Sequence, residues 1–106
     1  MILTNFFWVM VLQSSKVVLI IIFKKDGNCL AIYKGHTGGV NALVFKNNVL
    51  YSASDDRTVR AWDVLTGECI AVYEGHNEFV TCLCITNDGV LCSGSADRTV
   101  IVWNMV

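Results

Sequence analysis

The sequence contains no proline, and only 16% of its 106 residues are charged, with a formal net charge of −1. Without proline, no segment is typical of a stiff linker between domains. A charge balance this close to neutral argues against a nucleic-acid partner, because a phosphate backbone is bound by a basic surface. The length suits one small domain, and nothing in the composition favours nucleic-acid binding.

The five cysteines form no C-x-x-C pair and lie within short apolar segments. They are Cys29, Cys69, Cys82, Cys84 and Cys92. Cys82 and Cys84 alternate along one expected strand, so two thiolates on a metal ion are an alternative to small core side chains. We favour core side chains and expect neither a metal nor a cofactor. An odd number of cysteines without a disulfide framework favours a reducing compartment, and hence a cytoplasmic or nuclear location.

What the sequence does contain is an internal repeat. GNCLAIYKGH at 27–36 matches GECIAVYEGH at 67–76, with an offset of 40 residues. Farther along, SASDDRTVRAWD at 52–63 matches SGSADRTVIVWN at 93–104, with an offset of 41. The additional residue enters where VFKNNVL at 44–50 is matched by CITNDGVL at 84–91. A hairpin turn is expected there, and such a turn tolerates an insertion. A register that changes only at a turn indicates a structural repeat.

Short segments rich in β-branched and aromatic residues, separated by turn residues, predict an all-β fold. Asn87-Asp88-Gly89 and Thr66-Gly67 supply suitable turn residues between strands. The predicted strands lie near 28–33, 40–45, 48–53, 59–63, 69–73, 80–86, 90–94 and 99–104.

These residues resemble the WD40 repeat. Its marks are the Gly-His pairs at 35–36 and 75–76, two S-x-S-x-D-x-T turns, and Trp62-Asp63 with its variant Trp103-Asn104. The resemblance runs from about Asp26 to the C-terminus. It implies blades of a β-propeller, each with four antiparallel strands, in which the last strand of one blade opens the next repeat.

On this interpretation the chain divides into four parts. Residues 1–23 are a hydrophobic segment outside the repeat, 24–34 hold the outer strand of a preceding blade, 35–74 are the first WD40 repeat, and 75–106 are the second, an incomplete blade. Propellers use about 4–8 blades, so one complete and one partial blade cannot close a ring. We therefore expect a fragment or truncated isoform of a larger WD40 protein, which needs further blades or self-association.

The segment 1–23 leaves several interpretations open. Gln13-Ser14-Ser15-Lys16 divides it into apolar runs of 12 and 7 residues, both shorter than the roughly 20 that a membrane-spanning helix requires. A membrane-associated start is therefore less favoured than a divergent replacement for the first strands of a blade, or an alternative or misassigned start of a longer gene product.

Each repeat carries a His, a Ser, an Asp and a Trp that the resemblance implies to be a buried hydrogen-bond chain. The two quartets are His36, Ser52, Asp56 and Trp62, and His76, Ser93, Asp97 and Trp103. Their chemistry suits a chain, because indole only donates, hydroxyl and imidazole do both, and carboxylate only accepts. A catalytic Ser-His-Asp triad is the alternative, but the set occurs twice, includes Trp and lacks a G-x-S-x-G elbow. We expect a structural role and no enzymatic activity.

The resemblance also implies a rigid platform that binds proteins or peptides on the face carrying the Gly-His loops and the Asp turns. The candidate partner-binding residues there are Thr37, Asp55, Arg57, Glu78, Phe79 and Arg98. Phe79 is the expected anchor, because aromatic side chains dominate binding hot spots.

Two other hypotheses stay open. Arg57 and Arg98 follow the turn Asp, as in F-box WD40 adaptors that read phosphorylated degrons, although Asn41 and Thr81 stand where those adaptors tend to have basic residues. The chain could instead be a structural fragment without independent binding.

Overall fold

The computed structural model describes residues 2–4, 7–13, 18–24 and 29–103, and every regular element within these ranges is a β-strand. The strands are β1 (Ile2–Thr4), β2 (Phe7–Gln13), β3 (Val18–Lys24), β4 (Cys29–Lys34), β5 (Val40–Lys46), β6 (Val49–Ser54), β7 (Thr58–Asp63), β8 (Cys69–Glu74), β9 (Val80–Ile85), β10 (Leu91–Ser95) and β11 (Val100–Trp103). They form antiparallel sheets in the orders β1-β2-β3-β4, β5-β6-β7-β8 and β9-β10-β11. The expected all-β fold, with four-stranded sheets that do not close a ring, is confirmed.

The strands predicted from residue 28 onward are all present, with ends displaced by no more than one residue within the described ranges. The turn between β5 and β6 is made by Asn47 and Asn48, whose φ angles of 52° and 64° lie in the left-handed region. A tight hairpin requires this conformation, and asparagine adopts it more readily than most residues. In the second repeat the N–H of Thr86 donates to Val90 O, so three residues, 87–89, stand where the Lys46–Val49 pair encloses only Asn47 and Asn48. This turn includes Gly89 at φ 87°, and its additional residue accounts for the change of repeat offset from 40 to 41.

The N-terminal segment forms most of the first sheet. β2 pairs with β3 from Phe7↔Lys24 to Gln13↔Val18, and β3 pairs with β4 from Leu19↔Lys34 to Phe23↔Cys29. Of the open interpretations of residues 1–23, this pairing favours a replacement for the first strands of a blade. In the part of the chain that the structure describes, no helix is long and apolar enough to cross a bilayer.

The sheets stack face to face, and the contact between them repeats. Between the first and second sheets, Ile20 and Tyr33 pack with Leu50 and Trp62. Between the second and third sheets lies a buried cluster of Tyr51, Ala53, Val59, Ala61, Val80 and Leu91. Tyr33 meets the Trp62 ring at 5.7 Å between centroids, and Tyr73 meets the Trp103 ring in the same way at 5.4 Å. The structural repeat therefore includes the packing between sheets.

The third sheet leaves uncovered the face that the second sheet buries. The repeat offsets relate Ala42, Val44, Tyr51, Val59 and Ala61 to Cys82, Cys84, Cys92, Val100 and Val102. Val100 and Val102 are 73% and 64% exposed, whereas Val59 and Ala61 are buried. We call Cys82, Cys84, Cys92, Val100 and Val102 the open face.

The expectation that the cysteines are core side chains is wrong for most of those described. Cys69, Cys82 and Cys84 are exposed free thiols, and Cys92 is half-buried. The reason for the last three is that no described residue packs over the open face. The Cys29 side chain lies outside the described part of the structure.

Candidate functional site

The first polar quartet is drawn together from four separate elements. His36 follows β4, Ser52 lies on β6, Asp56 in the turn after it, and Trp62 on β7. Trp62 Nε1 donates to Ser52 Oγ at 2.8 Å, Ser52 Oγ lies 2.5 Å from His36 Nε2, and His36 Nδ1 lies 2.7 Å from Asp56 Oδ2. A carboxylate only accepts, so Nδ1 donates, and Nε2 accepts from the Ser52 hydroxyl. The donors thus run in one direction, from indole to carboxylate.

The second quartet repeats this arrangement. Trp103 Nε1 donates to Ser93 Oγ at 2.8 Å, Ser93 Oγ lies 2.8 Å from His76 Nε2, and His76 Nδ1 lies 3.1 Å from Asp97 Oδ2. The two histidines and two serines are buried, as is Trp62, while Trp103 is half-buried because the third sheet has only three described strands.

The aspartates also organise the turns in which they lie. Asp56 Oδ1 accepts from the backbone N–H of Thr58 at 2.9 Å and from its hydroxyl at 2.5 Å, and Oδ2 accepts from the backbone N–H of Thr37 at 3.1 Å. Asp97 accepts likewise from the backbone and hydroxyl of Thr99 and from the N–H of Asn77. One carboxylate therefore links the Gly-His loop, the turn and the buried chain.

The hydrogen bonds to these carboxyls change their pKa values. Burial raises the pKa of Asp56, but hydrogen bonds from His36 and Thr58 outweigh it and hold the pKa well below the usual range. The Thr99 hydroxyl, followed by the Asn77 N–H, lowers the pKa of Asp97 in the same direction. Both groups are therefore carboxylates at neutral pH, as acceptors at the end of a donor chain must be.

Sequence reasoning assigned no role to the second serine of each S-x-S-x-D-x-T turn. Ser54 Oγ donates to Gly38 O at 3.0 Å and accepts from the N–H of Asp56 at 3.1 Å. Ser95 Oγ likewise donates to Glu78 O at 3.2 Å and accepts from the N–H of Asp97 at 3.0 Å. The sequence signal for a role of this serine was its recurrence at the repeat offset, as Ser54 and Ser95. Thr58 and Thr99 recur at the same offset.

Glycine before each histidine leaves room for the tryptophan ring. A Cβ on Gly35 would lie 2.9 Å from Trp62 Cη2 and 2.7 Å from Arg60 Nη1. At Gly75 the corresponding distance to Trp103 Cη2 is 3.2 Å. A side chain at Gly35 would therefore displace the indole or the loop, because real Cβ atoms do not approach heavy atoms this closely.

The quartets are poorly arranged for nucleophilic catalysis. Ser52 and Ser93 are buried, and each Oγ already accepts from an indole N–H, whereas an attacking serine must reach a substrate. Across the described ranges, no group of three or more His, Cys, Asp or Glu side chains could hold a metal ion. What this geometry can do is fix the Gly-His loops and Asp turns against the sheets.

The six candidate partner-binding residues lie at one end of the second and third sheets. We call Thr37, Asp55, Arg57, Glu78, Phe79 and Arg98 the loop rim; all are exposed except Asp55, which is half-buried. Asn41 joins the two repeats there, because its Nδ2 donates to Asp55 Oδ1 at 2.7 Å and to Val80 O, next to Phe79, at 2.9 Å. The two repeats are thus linked by a hydrogen bond at the loop rim, and the residue that links them was not among the sequence candidates.

Arg57 and Arg98 adopt an unusual backbone conformation. Their φ angles are 75° and 72°, in the left-handed region that glycine and asparagine occupy more readily. Each backbone N–H donates to the carbonyl of the turn serine, Ser54 or Ser95, at 3.2 and 3.1 Å. The turns hold these arginines in place while their side chains are exposed.

Comparison with known proteins agrees with the sequence and geometry. The family model described as WD domain, G-beta repeat matches residues 27–63 and 67–104, and the chain therefore belongs to the WD40 repeat family. An uncharacterised WD repeat-containing protein of Schizosaccharomyces pombe is 37% identical over an alignment of 81 residues, and the match covers 69% of this chain and 22% of that protein.

Two further similarities cover different shares of the chain. A probable E3 ubiquitin ligase complex SCF subunit, sconB, of Aspergillus niger is 48% identical over 44 residues, 41% of this chain and 7% of the relative. The crystal structure of the computationally designed Ika4 protein gives a TM-score of 0.73 at 29% identity, covering 90% of this chain and 64% of that one. The chain thus spans less than a quarter of the length of these two curated relatives.

Proposed function

We propose that the chain is a non-catalytic platform for protein–protein interaction, which binds a peptide segment of another protein on the loop rim. The observation that carries this proposal is a separation of polar groups. The quartet side chains are paired with one another inside the sheets, whereas the aromatic residue and all but one of the charged residues of the loop rim are exposed. WD40 repeat proteins are in general non-catalytic scaffolds, and one relative is named as a subunit of a ligase complex.

The loop around Phe79 is suited to binding because its backbone is already held. Phe79 O accepts from the N–H of Ala96 at 3.0 Å, and Glu78 O accepts from Ser95 Oγ at 3.2 Å. The Phe79 side chain is nevertheless 49% exposed. A rigid loop that presents an exposed aromatic ring loses little conformational entropy on binding, which favours a role as an anchor.

Peptide selection followed by a matched pair of variants tests this proposal. Peptides selected from a display library against the full chain would be measured by fluorescence anisotropy against wild type, Phe79→Ala and Leu65→Ala. Leu65 is also an exposed apolar residue, at 84%, but it lies in the turn between β7 and β8 at the other end of the sheet. We expect Phe79→Ala to weaken binding by about tenfold or more, and Leu65→Ala to leave it unchanged.

Equal losses in the two variants would place binding elsewhere on the molecule. Failure to select any peptide that binds the folded chain would favour the remaining alternative, a structural fragment without independent binding.

A phosphopeptide is the second candidate partner. Arg57 and Arg98 are exposed residues of the same loop rim. At both positions arginine occurs although glycine would be less strained at the observed φ angle. A guanidinium suits phosphate because it offers paired donors. The test compares phosphorylated and plain forms of one peptide on wild type and on Arg57→Asn, which keeps the turn and removes the charge. No preference for the phosphorylated form would exclude this candidate.

We also propose a cytoplasmic or nuclear location, supported by an odd number of cysteines without a disulfide framework. Imaging of a fluorescent fusion of the chain tests this directly, and secretion into the medium would contradict it.

A further inference from the structure

Two thiols of the open face stand directly opposite each other on neighbouring strands. In the antiparallel pairing of β9 with β10, Cys84 is the register partner of Cys92. Just beyond, the N–H of Thr86 donates to Val90 O at 2.9 Å. Because hydrogen-bonded pairs recur at every second residue, the Cys84–Cys92 pair is also of the hydrogen-bonded kind, with Cα atoms about 5.5 Å apart. Disulfides join Cα atoms about 4.4–6.8 Å apart, so the expected Cα separation of this pair lies within the range that a disulfide spans.

We propose that Cys84 and Cys92 form a redox-sensitive dithiol, which closes to a cross-strand disulfide by exchange with a low-molecular-weight disulfide such as oxidised glutathione. The proposal does not depend on the proposed function, because the open face is separate from the loop rim. Both thiols are free, and Cys84 is exposed to a reagent while Cys92 is half-buried.

The exchange proceeds in two balanced steps. The exposed Cys84 thiolate attacks one sulfur of the glutathione disulfide, which forms a mixed disulfide and releases one glutathione as thiolate. The Cys92 thiolate then attacks the Cys84 sulfur and releases the second glutathione. Two protein thiols are oxidised, one glutathione disulfide is reduced to two thiols, and the two protons lost by the cysteines are taken up by the released thiolates. Excess reduced glutathione reverses both steps.

The register makes the pair selective among the cysteines nearby. Cys82 lies on the same strand and the same open face, but its register partner is Gly94, and a Cβ on Gly94 would lie 2.5 Å from Cys82 Sγ. Cys82 therefore has no thiol opposite it. Cys69 lies on another sheet, where its register partner is Trp62. Cys82 is thus a matched control, equally a cysteine of the open face but without an opposed cysteine.

The experiment equilibrates the full chain with graded mixtures of reduced and oxidised glutathione, blocks the remaining thiols by alkylation, and digests without reduction. A protease that cuts before aspartate separates residues 63–87, which contain Cys69, Cys82 and Cys84, from residues 88–96, which contain only Cys92, and the variants identify which cysteine of the first peptide is linked. Mass spectrometry then detects whether the two peptides are linked. Wild type, Cys82→Ser, Cys84→Ser and Cys92→Ser are compared.

We expect oxidised wild type and Cys82→Ser to give the linked peptide pair, which disappears on reduction. Cys84→Ser and Cys92→Ser should give only separate peptides, with the remaining member of the Cys84–Cys92 pair alkylated or carrying one glutathione. A linked pair that persists in Cys84→Ser would overturn the proposal. So would a wild-type protein that forms only glutathione adducts, or no disulfide, at every ratio.

Discussion

Asp56 shows at the scale of one residue why the quartet requires a carboxylate. Its two oxygens accept from His36, from the backbone and hydroxyl of Thr58, and from the backbone of Thr37. An amide at this position would replace one acceptor oxygen with an NH₂ donor. That donor would then lie against the N–H and O–H groups from which the carboxylate now accepts. The residue therefore combines a buried structural role with an ionised state.

This combination predicts a specific dependence of stability on pH. The pKa of Asp56 is lowered on folding, so its ionised form adds stability above the unfolded pKa of about 4, and this contribution is lost progressively as the pH falls below that value. At pH 7 we expect Asp56→Asn to lower the free energy of unfolding by about 2–4 kcal/mol. Urea denaturation at a series of pH values should show the difference from wild type shrinking in acid.

Asp88 provides the control, because it is an exposed aspartate in the turn between β9 and β10. Asp88→Asn should change stability by no more than about 0.5 kcal/mol at any pH. A difference between wild type and Asp56→Asn that stays constant down to strong acid would contradict the assigned role of the carboxylate.

Arg57 gives a second prediction at the residue scale, in which a substitution raises the stability of the chain. At φ 75° an arginine is strained relative to glycine, by about 1 kcal/mol. Arg57→Gly should therefore raise the denaturant midpoint, although it adds flexibility to the unfolded chain. Arg57→Ala removes the same charge without relieving the strain, so it should not raise the midpoint. Equal effects of the two substitutions would show that charge, and not backbone conformation, determines stability here.

At the scale of elements, the junction between β4 and β7 depends on Gly35. Because the Trp62 ring occupies the space of a Cβ there, Gly35→Ala should lower stability by about 1–3 kcal/mol. Gly75→Ala should cost less, since the matching distance to Trp103 is longer and that ring is half-buried. Chemical denaturation of the two variants tests this order, and a larger loss for Gly75→Ala would contradict it.

Elements also show what the sequence can and cannot predict. β5 to β8 were predictable because alternation, turn residues and the repeat all agree within one segment. The first sheet was only one of several interpretations, because continuous apolar runs such as VVLIIIF at 17–23 carry no alternation that distinguishes a strand from other buried segments. Its pairing with β4 is a tertiary property.

The candidate site likewise has features that the sequence predicts and features that it does not. The resemblance to the WD40 repeat implied both quartets, whose members the structure brings within hydrogen-bond distance. It gave no sign of the Asn41 bridge between repeats, which depends on how two sheets stack, or of the left-handed backbone at Arg57 and Arg98, a conformation that arginine does not favour. Exposure of Cys82 and Cys84 also depends on which face is covered, and a strand pattern alone does not report this.

At the scale of the whole molecule, the three described sheets stack through one type of contact, which occurs at both interfaces between them. Tyrosine from one sheet meets tryptophan of the next, and that tryptophan is held by its own serine. The tryptophan side chain therefore belongs both to the hydrophobic packing between sheets and to the hydrogen-bond chain of the quartet. A substitution in the quartet should consequently loosen the sheet interface as well as the turn, and the loop rim depends on both.

Hydrogen exchange of the Trp62 indole N–H, followed by NMR, tests this account most directly. The group is buried at 1% exposure and donates to Ser52 Oγ, so it should exchange only when the chain unfolds, and Ser52→Ala should accelerate its exchange. Exchange of the wild-type indole at the rate of free tryptophan would contradict an internal hydrogen-bond chain, and with it the assignment of binding to the loop rim.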